Sequence, residues 1–175
     1  MREDMMPMPF SPYGVTKLAG ENLCHLYWMN HNVPAVVLRY FTVYGPRQRP
    51  DMAIHKFVES VLNSREIEVF GNGMQKRDFT FVSDVVNANM LAASSGMHEP
   101  INIGGGSVIS VNGLIGMIEE LSGKDAIIKR INSQPGDVKE TLADISKAWT
   151  IGYRPKVQLR AGLKNQLEWH LSQKS

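Results

Sequence analysis

The chain has 175 residues, 43% of them hydrophobic and 21% charged, which is the balance of one ordinary folded domain and neither a disordered nor a fibrous composition. Nineteen basic against seventeen acidic residues leave a net charge of +2, too small and too evenly spread for a nucleic-acid or membrane-surface binder. No run of ~18 apolar residues is present to cross a bilayer, and the first ten residues lack the layout of a signal peptide, so a cytoplasmic location is the expectation.

Residues 1–10, with Pro7 and Pro9 and no periodic pattern, read as an extended lead-in. Ser11 stands as an N-cap with Pro12 at the first helical position. Val15, Leu18, Ala19, Leu23, Leu26 and Tyr27 then form an apolar stripe that predicts a helix to about Met29, ending at Asn30-His31-Asn32. Tyr13 and Lys17, four residues apart, share one face of this helix. A phenol beside a fixed positive charge is a candidate acid/base for a hydroxyl substrate. Ala35 to Phe41 is a continuous apolar and β-branched run, the look of a strand buried on both faces of a parallel sheet. It leads into Tyr44 to Pro50, a turn-rich loop with Arg47 and Arg49, at the strand end where open α/β sheets hold ligands.

Periodicity predicts a helix from Ala53 to Leu62. Ile67 to Phe70 and Arg77 to Phe81 flank Gly71-Asn72-Gly73, the layout of two short strands around a turn. Ser83 is expected to cap a helix from Asp84 to about Ser94. Ile101 to Ile103 is a short strand running into a tight loop at Gly104-Gly105-Gly106, and Ser110 caps a helix from Val111 to Leu121. Ala126 to Ile131 reads as a strand, Pro135-Gly136-Asp137 as a turn, and Thr141 to Ala143 as extended chain. Ile145 to Thr150 makes a helical turn or two, and Leu159 to His170 is the last helix. Alternating helices and strands, without repeats or a long linker, predict an α/β architecture in a single unit. Cys24 is the only cysteine and the five histidines show no ligand spacing, so neither a disulfide nor a metal site is expected.

Four blocks in order carry a resemblance: SPYGVTKLAGE at 11–21, LRYFTVYGPRQRPDMA at 38–53, GNGMQKRDFTFVSDV at 71–85 and PGDVKETLADISKA at 135–148. Together they resemble the C-terminal part of the extended short-chain dehydrogenase/reductase family, and within it the NAD-dependent nucleotide-sugar epimerases and dehydratases. The resemblance implies the C-terminal half of a doubly wound, Rossmann-like parallel sheet. Residues 11–50 and 77–105 would be the remainder of that core, and 51–76 and 106–175 mainly a small mixed α/β lobe for the nucleotide sugar. It implies that Tyr13 takes the proton of a sugar hydroxyl and Lys17 holds the nicotinamide ribose of NAD, with Tyr40, Phe41 and Val43 beneath the cofactor. It assigns Thr42, Arg47, Arg49, Val69, Phe70, Arg77 and Asp137 to a UDP-sugar, the paired donors of Arg77 suiting diphosphate oxygens. Thr42 stands where many relatives carry asparagine and, with RPDMA after it, is more like the UDP-glucuronate epimerases. Phe41 and Tyr44 are equally readable as core, and Asp137 as a turn cap.

The activity implied is a 4-epimerase that moves hydride reversibly at C4 of the sugar. A dehydratase or reductase on the same fold is the near alternative. A non-catalytic nucleotide-sugar-binding or protein-interaction remnant is the alternative from another class. No strand, glycine-rich turn and helix for a dinucleotide stands ahead of Tyr13. The expectation is therefore a chain without the N-terminal NAD-binding half, a fragment inactive by itself that associates through an open sheet edge with a second copy, as a homodimer, or with an N-terminal polypeptide.

Overall fold

The computed structural model describes residues 1–133 and 139–173. In chain order its elements are α1 (Pro12–His31), β1 (Leu38–Tyr40), β2 (Thr42–Tyr44), α2 (Ala53–Leu62), β3 (Glu66–Phe70), β4 (Lys76–Phe81), α3 (Val82–Ala93), β5 (Ile101–Ile103), β6 (Val108–Ser110), α4 (Val111–Ser122), β7 (Ile127–Ile131), β8 (Glu140–Thr141), α5 (Ser146–Thr150) and α6 (Leu159–Ser172). Two helices start where a serine side chain can satisfy an otherwise orphaned N–H. Ser11 Oγ accepts from the Gly14 N–H at 3.1 Å, and Ser110 Oγ from the Gly113 N–H at 3.0 Å. α1 ends at Asn32 in the left-handed conformation, φ 50°, whose N–H reaches the Trp28 carbonyl.

α3 departs from the sequence reading. It starts at Val82 with no side-chain cap, so Ser83 does not have the capping role. Asp84 is buried instead, and its two oxygens accept the N–H groups of Lys156 and Val157, each at 3.1 Å. That carboxylate ties α3 to the segment that leads into α6.

The predicted hairpin around Gly71-Asn72-Gly73 does not form. β3 pairs in parallel with β7, Glu66 opposite Ile127, and β4 pairs with other strands. Alternation explains the choice: Ile67 and Val69 point into the core while Glu66 and Glu68 face outward, where both lie near Lys129 on β7. The turn is held by the start of α4, since Gly73 O accepts the Asn112 N–H and Gln75 O that of Val111. The run from Ala35 also differs from its reading as a doubly buried strand. It is half-buried, and it changes partners: β1 pairs in parallel with β5, Leu38 opposite Ile101, and β2 in parallel with β4, Thr42 opposite Phe79. β4 further holds β6 antiparallel and β8 parallel.

Two apolar cores result. Tyr44, Ile54, Val58, Ile67, Phe81, Leu114, Ile118 and Leu163 make the larger one, between α2, α4, α6 and strands β2 to β4. Ala88, Ile101, Ile103, Ile145, Ala148 and Tyr153 make the other. Asp78 on β4 lies between them with no exposed surface, accepting the N–H groups of Gly105 at 2.8 Å and Ala143 at 3.1 Å. Burial pushes its carboxyl above the usual range, and the backbone N–H groups pull it back. Gly105 crosses β4 so closely that a Cβ there would stand 2.1 Å from the Phe79 carbonyl oxygen. Backbone cannot swing aside as a flexible side chain does. Gly105→Ala is therefore expected to cost at least about 2 kcal/mol. Gly116→Ala, in α4 with open space around the new methyl, should be neutral or stabilising by up to about 1 kcal/mol. Denaturant titration of both variants reads the difference.

Candidate active site

Tyr13 and Lys17 share the face of α1 that their spacing dictates, and Lys17 Nζ lies 5.1 Å from the centroid of the Tyr13 ring. Tyr13 is 71% exposed. With Leu18, Glu21, Val37, Leu38, Arg39 and Tyr40, the pair lines a cavity of about 580 Å³ under the lead-in residues Pro7 to Pro9. Tyr40 donates its phenol proton to Asn89 Oδ1 at 2.9 Å.

A second groove, of about 720 Å³, opens between α2, β3 and β4. Thr42, Val69, Phe70 and Arg77 all line it, so four of the residues singled out in sequence for a substrate meet here. Their meeting has a simple cause: Thr42 is opposite Phe79 in the β2–β4 ladder, and Arg77 is two residues before Phe79 on the same side of β4. Arg77 Nη1 donates to the Lys76 carbonyl at 2.9 Å.

The other singled-out residues lie elsewhere. Phe41 is partly buried against the second core and Tyr44 is buried in the first, so both contribute packing. Val43 is half-buried, with its carbonyl accepting from Gln48 Nε2 at 2.8 Å. Arg47 is exposed, at φ 65°, and Arg49 pairs at 2.9 Å with Asp51 on the rim of the groove; neither lines either cavity. Asp137 lies outside the described residues.

Sequence reasoning passed over Lys56, Arg65 and Gln75, which also line the groove. Gln75 donates to the Phe70 carbonyl at 3.2 Å, fixing the end of β3. Lys56 sits on the polar side of an amphipathic helix, and nothing in the pattern separates such a lysine from a solvated one. Gln166 was likewise unmarked. Fully buried on α6, it accepts the Gly45 N–H and donates to Gln48 Oε1, both at 2.9 Å, clamping the loop that follows β2. Gly162 permits this approach, because a Cβ there would lie 2.1 Å from the Tyr44 hydroxyl. Among the described residues no group of three or more His, Cys, Asp or Glu is arranged to hold a metal, and no helix is long and apolar enough to cross a membrane.

Residues 2–104 match the model of the NAD dependent epimerase/dehydratase family. The chain belongs to that family. It is similar to an uncharacterized UDP-glucose epimerase of Bacillus subtilis, 44% identical over 92% of this chain and 52% of that protein. It is also similar to the crystal structure of a UDP-glucuronic acid 4-epimerase from Bacillus cereus in complex with UDP-glucuronic acid and NAD. That structure is 46% identical, with a TM-score of 0.92, over 99% of this chain and 56% of the other. A UDP-glucose 4-epimerase from Thermotoga maritima, solved with UDP-glucose, is 36% identical with a TM-score of 0.95, over 100% of this chain and 58% of that one. This family chain spans about half the length of the curated relatives it matches. Its mixed α/β architecture with parallel pairing corresponds to the C-terminal part of the Rossmann-like epimerase fold.

The loop clamp is open to measurement. Gln166→Leu removes the acceptor for Gly45 and the donor for Gln48 in a buried place, and should cost about 1–3 kcal/mol. Amide exchange should quicken more at Gly45 and Gln48 than at Phe41, whose N–H remains bonded to the Ile103 carbonyl.

Proposed function

We propose that this chain forms the substrate side of an NAD-dependent UDP-sugar 4-epimerase, with UDP-glucuronate as the favoured sugar. The observation that carries the reading is the convergence of Thr42, Val69, Phe70 and Arg77 on one groove, joined through residues 40–42 to the cavity of Tyr13, Lys17 and Tyr40. The groove suits the nucleotide end of such a substrate. Arg77 offers fixed paired donors to diphosphate oxygens, the end of β3 offers backbone and an aromatic ring to a base, and Thr42 faces the sugar. Asp137 completes the reading at the ribose. Thr42 with the following RPDMA supports glucuronate over glucose.

The Tyr13 cavity fits the nicotinamide end of the cofactor. A hydroxyl, an ammonium and the apolar surface of Leu18, Val37 and Leu38 together match ribose hydroxyls and a flat ring. NAD, held here by Tyr13 and Lys17, would supply a reversible hydride acceptor for C4 of the sugar. Tyr13 takes the proton of the C4 hydroxyl as the bond to hydrogen breaks and gives it back on return. Lys17 keeps a positive charge beside the phenol and donates to the ribose.

The dinucleotide-binding half of the fold, on the same polypeptide or another, completes this site. The exposed side chains Val15, Leu23, Leu26, Tyr27 and Met29 of α1 supply apolar surface for that half or for a second copy. By themselves the 175 residues are expected to turn over no UDP-sugar.

Calorimetry on this chain tests the groove. UDP should bind without NAD, and Arg77→Met should weaken it about tenfold or more, the loss of one charge-assisted hydrogen bond. No heat with UDP would sink the assignment of the groove. In the assembled enzyme, this chain together with the dinucleotide-binding half, Tyr13→Phe should lower kcat by about 10²–10⁴ with little change in KM. Undiminished turnover would remove Tyr13 from the chemistry.

A further inference from the structure

α1 carries Tyr13 and Lys17, yet none of its residues is buried. Its place is set by polar contacts. Glu21, one turn beyond Lys17, is gripped by Arg39 of β1, whose Nε donates to Oε2 at 2.9 Å and whose Nη2 donates to Oε1 at 2.5 Å. The two side chains are only 25% and 17% exposed. Arg39 Nη1 also donates to the Glu3 carbonyl at 3.2 Å, and Glu3 Oε1 accepts the Asn102 N–H of β5 at 2.8 Å. One guanidinium thus joins the helix, β1 and the lead-in, which in turn holds β5.

Lys17 stands four residues before Glu21, the spacing at which an ammonium and a carboxylate meet along a helix. Lys17 and Arg39 are the two cations lining this cavity. Lys17 nevertheless lies over the Tyr13 ring, a turn in the other direction. We propose that Arg39 is a positioning residue for the Tyr13–Lys17 pair: by occupying both oxygens of Glu21 it keeps that carboxylate from drawing Lys17 away from the phenol. The fork of the guanidinium suits this task, since it covers both oxygens at once where an ammonium covers one. A mostly buried carboxylate deprived of its partner must find another cation, and Lys17 is within one turn. The purpose of the device rests on the acid/base reading of Tyr13, whereas its geometry does not.

Crystal structures of this chain with Arg39→Met, and with Glu21→Gln added to it, test the proposal. In Arg39→Met, Lys17 Nζ should leave the ring and come within about 4 Å of a Glu21 oxygen, ion-pair distance. In the double variant it should return to the ring. Arg39→Gln, which keeps a donor for Glu21 and for the Glu3 carbonyl, carries the same expectation should Arg39→Met fail to fold. Lys17 staying over the ring in the single variants, or α1 shifting alike in single and double, would make Arg39 a mere tether and overturn the idea.

In the assembled enzyme kcat should fall about tenfold in Arg39→Met and recover to within about threefold in the double variant, with KM little changed. A double variant as slow as the single overturns it as well. If the lysine moves as expected while Tyr13→Phe leaves turnover intact, the pairing stands and the acid/base reading falls.

Discussion

A carboxylate with no exposed surface stands between the two cores. Burying a charge is costly unless hydrogen bonds replace its water, and Asp78 has the N–H groups of Gly105 and Ala143 for that purpose. Its neighbour Phe79 packs in the larger core, and Ala143 in the other. One side chain therefore fixes the loop after β5 and the stretch after β8 against β4. The Tyr153 hydroxyl adds a second hold, donating to the Gly104 carbonyl at 2.9 Å. Arg77 immediately precedes this anchored residue, so the direction in which its backbone presents a guanidinium to the groove is inherited from the buried acid.

The helix that carries Tyr13 is secured in another way. α2, α4 and α6 each bury aliphatic side chains in the larger core, and non-directional packing of that kind tolerates small shifts. α1 buries none. It is held by the Glu21–Arg39 pair in its middle and, nearer its end, by Trp28 stacked on His98 with ring centroids 3.7 Å apart. Hydrogen bonds and stacked rings are directional, so they set the helix at a height and rotation. For a phenol and an ammonium proposed to act on two partners side by side, orientation matters more than the total stabilisation the contacts provide.

Much of this was legible in the chain because it is local. The Ser11 and Ser110 caps, the span of α2, and the strand Ile101–Ile103 follow from residues within a few positions of one another. What failed was non-local. The spacing around Gly71-Asn72-Gly73 is that of a hairpin, yet β3 finds its partner in β7, beyond two intervening helices, where alternate apolar residues can share the core. Ser83 looks like a cap, but Asp84 is engaged by residues 156 and 157, far along the chain. Of the residues that meet at the groove, Thr42 and Arg77 were legible as parts of blocks, and Val69 and Phe70 from their place just before the Gly71-Asn72-Gly73 turn. Arg47 and Arg49 line neither cavity, and a loop arginine near a strand end looks alike in sequence whether it faces a groove or water. Gln166 gave no signal, since its role depends on α6 lying against the loop after β2.

The change of partner at Phe41 explains why two cavities, and not one, flank this run. In an unbroken strand, Tyr40 and Thr42 would point to the same face. Here Phe41 donates to the Ile103 carbonyl at the end of the β1–β5 ladder, and from Thr42 onward the ladder belongs to β4. Tyr40 is left beside Tyr13 while Thr42 joins Arg77. Phe41, packed against the second core, is the pivot between them. Any ligand that uses both the phenol of Tyr13 and the guanidinium of Arg77 must lie across that pivot, with one end on each side. An elongated molecule whose reactive centre is several bonds from its anionic anchor has that shape, and that is the shape the proposed substrate requires.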